Sequence, residues 1–113
     1  MKRTVIIIFA LFLLAACSST NYDSFAQCLT DNGATFYGAF WCPHCTEQKE
    51  MFGSSVGLID YVECSLPGGQ GQTEVCQQAK IESYPTWEFA DGSRQVGKLS
   101  FEALSQKTGC SVQ

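Results

Sequence analysis

Basic charge is scarce in this chain. Across 113 residues, seven Lys and Arg stand against eleven Asp and Glu, for a net charge of −4 and a pI near 4.8. No basic surface is available to neutralise phosphates, which excludes nucleic acid as a partner. Histidine is scarcer still, with His44 the only one. Long apolar runs are missing too: the longest, Val5 to Ala16, has twelve residues. Wound as a helix it reaches roughly 18 Å, short of a hydrocarbon core about 30 Å thick. There are no internal repeats, no charge runs and no second set of domain signals, so the length fits a single domain.

Cysteine is in excess: there are seven, an odd number. The first belongs to the N-terminus. Met1 to Thr4 is a cationic lead before the short apolar run, the pattern of an export signal. The run closes on Leu14-Ala15-Ala16-Cys17, which resembles the cleavage motif of bacterial lipoproteins. That resemblance implies removal of residues 1–16, a lipid on Cys17 and a polar tether over residues 17–24. An ordinary signal peptide and an uncleaved anchor are the alternatives. The expected address is the bacterial cell envelope, lipid-anchored on its periplasmic or extracellular face. Loss of Lys2 and Arg3 takes the net charge from −4 to −6. Cys28, Cys42, Cys45, Cys64, Cys76 and Cys110 remain. An even number in an oxidising compartment predicts disulfides, in any of about fifteen pairings.

The rest of the chain reads as alternating helices and strands. A helix is expected over Tyr22–Asn32, with Phe25, Cys28 and Leu29 on one side. The unbroken apolar run Ala34–Trp41 reads as a central strand covered on both faces. Pro43–Phe52 is a helix with proline at its first position and Gly53 as its stop. Leu58–Cys64 is strand-like, Pro67–Gln72 a flexible loop and Thr73–Ile81 a short helix. Thr86–Ala90 and Ser93–Gly97 form a hairpin around Asp91-Gly92, both expected at positive φ. A last helix starts at Ser100, stapled by Leu99 and Leu104, and ends at Gly109. The fold class is α/β, with helices on both faces of a small mixed sheet over residues 25–113.

Chemistry concentrates in Trp41-Cys42-Pro43-His44-Cys45. A closed zinc site needs four ligands. His44 lies between the two cysteines, and Cys64 and Cys76 do not repeat their spacing, so no metal is expected. Thr46 stands where a c-type haem motif needs histidine. The redox reading fits better. Cys42 falls at the N-cap of the expected helix, whose positive end favours a thiolate there. Cys45 lies one turn in, near enough to bridge. Cys42 is thus the attacking thiol and Cys45 the resolving one, and His44 can donate to the Cys42 sulfur. An inert staple of the helix start is the structural alternative.

A strand, Trp-Cys-x-x-Cys, a helix and a later Tyr84-Pro85-Thr86 before a hairpin resemble the thioredoxin superfamily. The Cys-Pro-His-Cys centre is similar to that of DsbA-type oxidases. A narrower likeness runs through Phe36–Cys45, Gln48-Lys49, Met51-Phe52-Gly53, Tyr61–Cys64 and Tyr84–Trp87. These segments resemble the thioredoxin-like domain attached to bacterial and plant vitamin K epoxide reductase homologues, over residues 25 to 110 or so. The resemblance implies a thioredoxin-like three-layer fold and a cis Pro85 facing the dithiol, its backbone pairing with a client strand. It also implies a client surface of Trp41, Tyr84, Pro85 and Thr86. Copper delivery by a related fold needs a distal histidine, which this chain lacks.

Two departures accompany the likeness. Thioredoxin's buried Asp beneath the dithiol aligns here with Phe36, which leaves Glu63, Glu88 or water to take the Cys45 proton. The membrane-embedded reductase bundle lies outside the match, so a quinone-linked, vitamin K epoxide reductase-like partner would be a separate membrane protein. The family carries a second cysteine pair comparable to Cys64–Cys76, closing about thirteen residues and worth roughly 3 kcal/mol. Cys28–Cys110 would clamp the first and last helices, worth roughly 4.5 kcal/mol before strain. Both are expected as structural disulfides, with Cys64–Cys76 as an electron relay the alternative. The expected protein is a monomeric, cofactor-free thiol–disulfide oxidoreductase that oxidises client protein thiols. A disulfide reductase serving cytochrome assembly and a non-catalytic client-binding lipoprotein are the competing readings.

Overall fold

The computed structural model describes residues 21–112. The expected signal and the lipidation site at Cys17 lie outside them. The elements are α1 (Asp23–Asp31), β1 (Thr35–Gly38), α2 (Pro43–Phe52), β2 (Tyr61–Glu63), α3 (Glu74–Gln78), β3 (Thr86–Glu88), β4 (Arg94–Val96) and α4 (Phe101–Thr108). One mixed sheet runs in the order β2-β1-β3-β4. β1 pairs parallel with β2 and antiparallel with β3, and β3 pairs antiparallel with β4.

Alternation along β1 divides the molecule into three layers. Phe36 faces a core formed with Phe25 and Leu29 of α1, Cys45 and Phe52 of α2, Trp87 of β3 and Leu104 of α4. Tyr37, its neighbour, packs on the opposite side with Cys64, Cys76 and Ile81. A strand must send successive side chains to opposite faces, so this one dipeptide separates the two cores. The arrangement is the thioredoxin-like α/β class that the sequence implies.

Local chemistry explains the element ends. Pro43 opens α2 and the chain leaves it at Gly53. The Ser100 hydroxyl caps α4 by accepting from Ala103 N–H at 3.1 Å. The hairpin turn closes with Gly92 N–H donating to Phe89 O at 2.8 Å and Phe89 N–H to Ser93 O at 2.9 Å. Only Gly92 of the turn pair has positive φ, at 81°. The extra residue makes a three-residue loop with a bulge, which asks for one left-handed position rather than two; Asp91 instead accepts from Ser93 N–H.

Four boundaries differ from expectation, the simplest being α3, which stops at Gln78 short of the expected Ile81 as Lys80 takes a positive φ. The apolar run is a strand only through Gly38, and Phe40 and Trp41 beyond it are 51% and 54% exposed. The chain has to turn there to enter α2, as Cys42 N–H donates to Ala39 O. Leu58 ends a 3-10 segment, so β2 starts only at Tyr61. The folded domain also reaches into the expected tether: Tyr22 packs edge-on against Phe101, and its N–H donates to Ser55 Oγ at 2.9 Å.

Both expected disulfides are present. Cys28–Cys110 joins α1 to the residues after α4, with Cα atoms 5.9 Å apart, and Cys64–Cys76 spans 5.4 Å around the glycine-rich loop. Polar anchoring comes from Gln48 of α2, which is 0% exposed. Its Oε1 accepts from Trp87 Nε1–H at 3.0 Å and Leu99 N–H at 2.8 Å, and its Nε2 donates to Leu99 O at 3.1 Å. Replacement by Gln48→Leu orphans three buried polar groups and should lower stability by about 2–4 kcal/mol. Urea unfolding followed by tryptophan fluorescence measures this; an unchanged midpoint would show that the amide carries no weight.

Candidate active site

The dithiol is built by the turn between β1 and α2. Cys42 takes an extended conformation as N-cap of the ten-residue α2, and its sulfur accepts from Cys45 N–H at 3.3 Å. Sulfur there meets the unpaired N–H groups and positive pole of the helix, which favour negative charge on it. Cys42 and Cys45 are free thiols, 5% and 1% exposed. On the other side of Cys42 stands the Tyr84 carbonyl, which accepts from the thiol at 3.7 Å. The Tyr84–Pro85 peptide is cis.

Burial, followed by its hydrogen bond with Cys42, pushes the Cys45 thiol up to about 12. It therefore stays protonated at neutral pH, while Cys42 sits at the helix mouth. Glycine at position 38 is a steric requirement of this arrangement. A Cβ there would lie 2.9 Å from the Tyr61 ring and 3.2 Å from Cys45 Sγ. A lone glycine inside an aromatic run was the available signal for that close approach.

The remaining expected residues are distributed unevenly. His44 turns outward, with Nδ1 3.3 Å from Glu47 Oε2, which also accepts from Lys98 Nζ at 2.9 Å. It does not contact the Cys42 sulfur, because its position on the exposed side of α2 points the ring toward the residue one turn on. Trp41 is exposed beside Cys42, its Nε1 donating to Ser65 Oγ at 2.9 Å and its ring edge-on to Tyr84. Pro85 and Thr86 are buried. Pro85 has no N–H and its carbonyl accepts from Gly97 N–H at 2.8 Å, so the backbone group facing the dithiol is that of Tyr84.

Phe36 fills the space beneath the dithiol, stacked on Trp87 with ring centroids 5.0 Å apart. Of the two carboxylates considered for proton transfer, Glu88 lies at the far end of β3 and is bound to Arg94 at 2.7 Å. Glu63 pairs in register with Gly38, at the dithiol end. Sequence reasoning passed over Tyr61 and the role of Lys49, although both sit beside the dithiol: Lys49 Nζ is 3.8 Å from the centre of the Tyr61 ring. The Cys64–Cys76 disulfide belongs to the core on the opposite side of the sheet from Cys45.

No family model matches the chain. It is similar to the thiol-disulfide oxidoreductase LTO1 of Arabidopsis thaliana, with 39% identity over 103 residues, covering 88% of this chain and 27% of that protein. The chain thus spans little more than a quarter of that relative's length. Two free thiols one helical turn apart at the start of α2, with the Tyr84 carbonyl beside the first, form an arrangement suited to thiol–disulfide exchange.

The asymmetry of the two thiols has a direct readout. At neutral pH, iodoacetamide should alkylate Cys42 and spare Cys45, and Cys45 should gain reactivity only as pH climbs toward about 12. Mass mapping of the reduced protein after timed alkylation checks this. Equal labelling at pH 7 would contradict the assignment of roles.

Proposed function

We propose that this protein is an exported thiol–disulfide oxidoreductase, lipid-anchored through Cys17, that oxidises thiols of client proteins. The observation that carries the reading is the placement of Cys42 at the mouth of α2, against the Tyr84 carbonyl, with Cys45 buried one turn behind it. A client thiolate attacks Cys42 Sγ of the Cys42–Cys45 disulfide, and Cys45 leaves as a thiolate. A second client thiolate then attacks the client sulfur of the mixed disulfide and expels the Cys42 thiolate. The client gains a disulfide, and the protein is left as the dithiol with two protons taken up. Helix-end stabilisation of the departing Cys42 thiolate favours this direction.

Phe40 and Trp41, exposed on one side of Cys42, and the Tyr84 carbonyl on the other offer an extended client both apolar contact and a hydrogen-bond acceptor. The likeness in sequence to the thioredoxin-like domain of vitamin K epoxide reductase homologues supports a membrane-embedded unit of that kind as the recycling oxidant. The lipoprotein-type motif before Cys17 supports anchoring at the envelope.

Two measurements test this. Equilibration with glutathione should place the Cys42–Cys45 couple above about −250 mV; a lower value would shift the reading to a reductase. Cys42→Ala should abolish oxidation of a reduced client, and Cys45→Ala should abolish it too while trapping a Cys42 mixed disulfide when supplied with a disulfide-bonded client. For the anchor, Cys17→Ser should move the protein from the membrane to the soluble fraction of fractionated cells, and retention on the membrane would argue against lipidation at that residue.

A further inference from the structure

Cys45 must part with its proton, or leave as an anion, whichever way electrons flow, and its surroundings oppose this. Beneath it lies Phe36 instead of a polar side chain. The titratable groups that face it are Cys42 and Lys49 from α2 and Tyr61 and Glu63 from β2. A thiolate at Cys42 disfavours a second negative charge at Cys45. Tyr61 is no base: burial raises its phenol, Glu63 raises it further, and its buried Oη makes no hydrogen bond.

Lys49 is the only cation among these groups. It is one helical turn beyond Cys45, on the same side of α2. Its ammonium sits on the face of the Tyr61 ring, 3.8 Å from the centre. The edge of that ring and Cys45 Sγ both approach the same point over Gly38, at 2.9 and 3.2 Å. Of the other cations, Lys98 is committed to Glu47, and Arg94 to Glu88 at the far end of β3. Lys49 makes no salt bridge among the described residues.

We propose that Lys49, held on the face of Tyr61, is the charge that makes Cys45 competent as resolving thiol and as leaving group. Tyr61 is a positioning residue whose ring, not its hydroxyl, fixes the ammonium. This deepens the proposed function and rests on that reading of the dithiol. Consistently, a backbone hydrogen bond at Ala39 and then the Lys49 charge pull the Cys45 thiol down against burial and Cys42, and Lys49 is the only side chain that does so. In resolution, Cys45 loses its proton to solvent and its sulfur attacks Cys42 Sγ in a mixed disulfide. The Cys42–Cys45 bond forms, the Cys42–client bond breaks, and the client sulfur departs as a thiolate. In the oxidising direction the same ammonium stabilises Cys45 as it leaves. One interaction thus serves both directions.

The test separates the two thiols kinetically. The full chain carrying Cys17→Ser, reduced at Cys42–Cys45, is mixed with 5,5′-dithiobis(2-nitrobenzoate), so that these two thiols alone react. Cys42 thiolate attack releases one thionitrobenzoate, and attack of Cys45 on the Cys42 adduct releases the second. Lys49→Met should slow the second release roughly tenfold at pH 7 and displace its pH profile upward, leaving the first within about twofold. Lys49→Arg should restore the second release to within about threefold. Tyr61→Phe should stay within about twofold of the parent, because the ring face remains. A second release unchanged by Lys49→Met at every pH overturns the proposal, as does a Tyr61→Phe defect equal to that of Lys49→Met. A parent protein that never releases the first thionitrobenzoate would instead defeat the dithiol reading itself.

Discussion

The buried amide of Gln48 is the contact on which the geometry of this domain turns. It is fully enclosed, yet three of its hydrogen bonds go to partners on other elements, the Trp87 indole and both backbone groups of Leu99. A half-satisfied amide at that depth would cost more than an apolar side chain. Complete satisfaction turns it into a positional lock between α2, β3 and the entry to α4. Because α2 also carries Cys42, Cys45 and Lys49, the lock sets where the dithiol stands relative to Tyr84–Pro85 and to the Tyr61 ring. Packing around Phe36, Phe52 and Trp87 supplies the apolar burial, but apolar contact alone would tolerate sliding of the helix.

Six of the cysteines divide by environment. Two disulfides tie loop to core and terminus to terminus, with Cys28 half-buried and Cys64, Cys76 and Cys110 enclosed. The third pair stands at an edge, with its first sulfur on a helix mouth and its second in an apolar pocket. The sheet separates this pair from Cys64–Cys76. That separation favours a structural role for Cys64–Cys76 over electron relay, since a thiolate must reach a disulfide sulfur to exchange with it. The loop this disulfide closes nonetheless borders the site, because Ser65 receives the Trp41 indole N–H.

Much of the local structure was legible because short-range chemistry decides it. Proline before His44 and glycine after Phe52 mark α2, and Ser100 marks the start of α4. Local chemistry is silent where chain direction depends on distant partners. Ala34–Trp41 is uniformly apolar, so hydropathy could not show that pairing with β2 and β3 stops at Gly38 and leaves Phe40 and Trp41 in solvent. The asparagine-like turn signal of Asp91-Gly92 located the hairpin but not its bulge, since one extra residue changes which position needs positive φ.

By itself the sequence determined the chemistry on offer: a Cys-x-x-Cys at the start of a proline-led helix, four further cysteines for staples, and an acidic surface unsuited to nucleic acid. Those depend on covalent identity and on neighbours within a turn. Only the tertiary structure decided how the chemistry is tuned. It turned His44 toward Glu47, set the Tyr84 carbonyl rather than that of Pro85 on the Cys42 sulfur, and brought Lys49 over Tyr61. The physical reason is that burial and Coulomb interaction act through space: the Tyr61 ring reaches the dithiol from β2 and the Tyr84 carbonyl from the chain before β3, neither a neighbour of Cys42 within a turn.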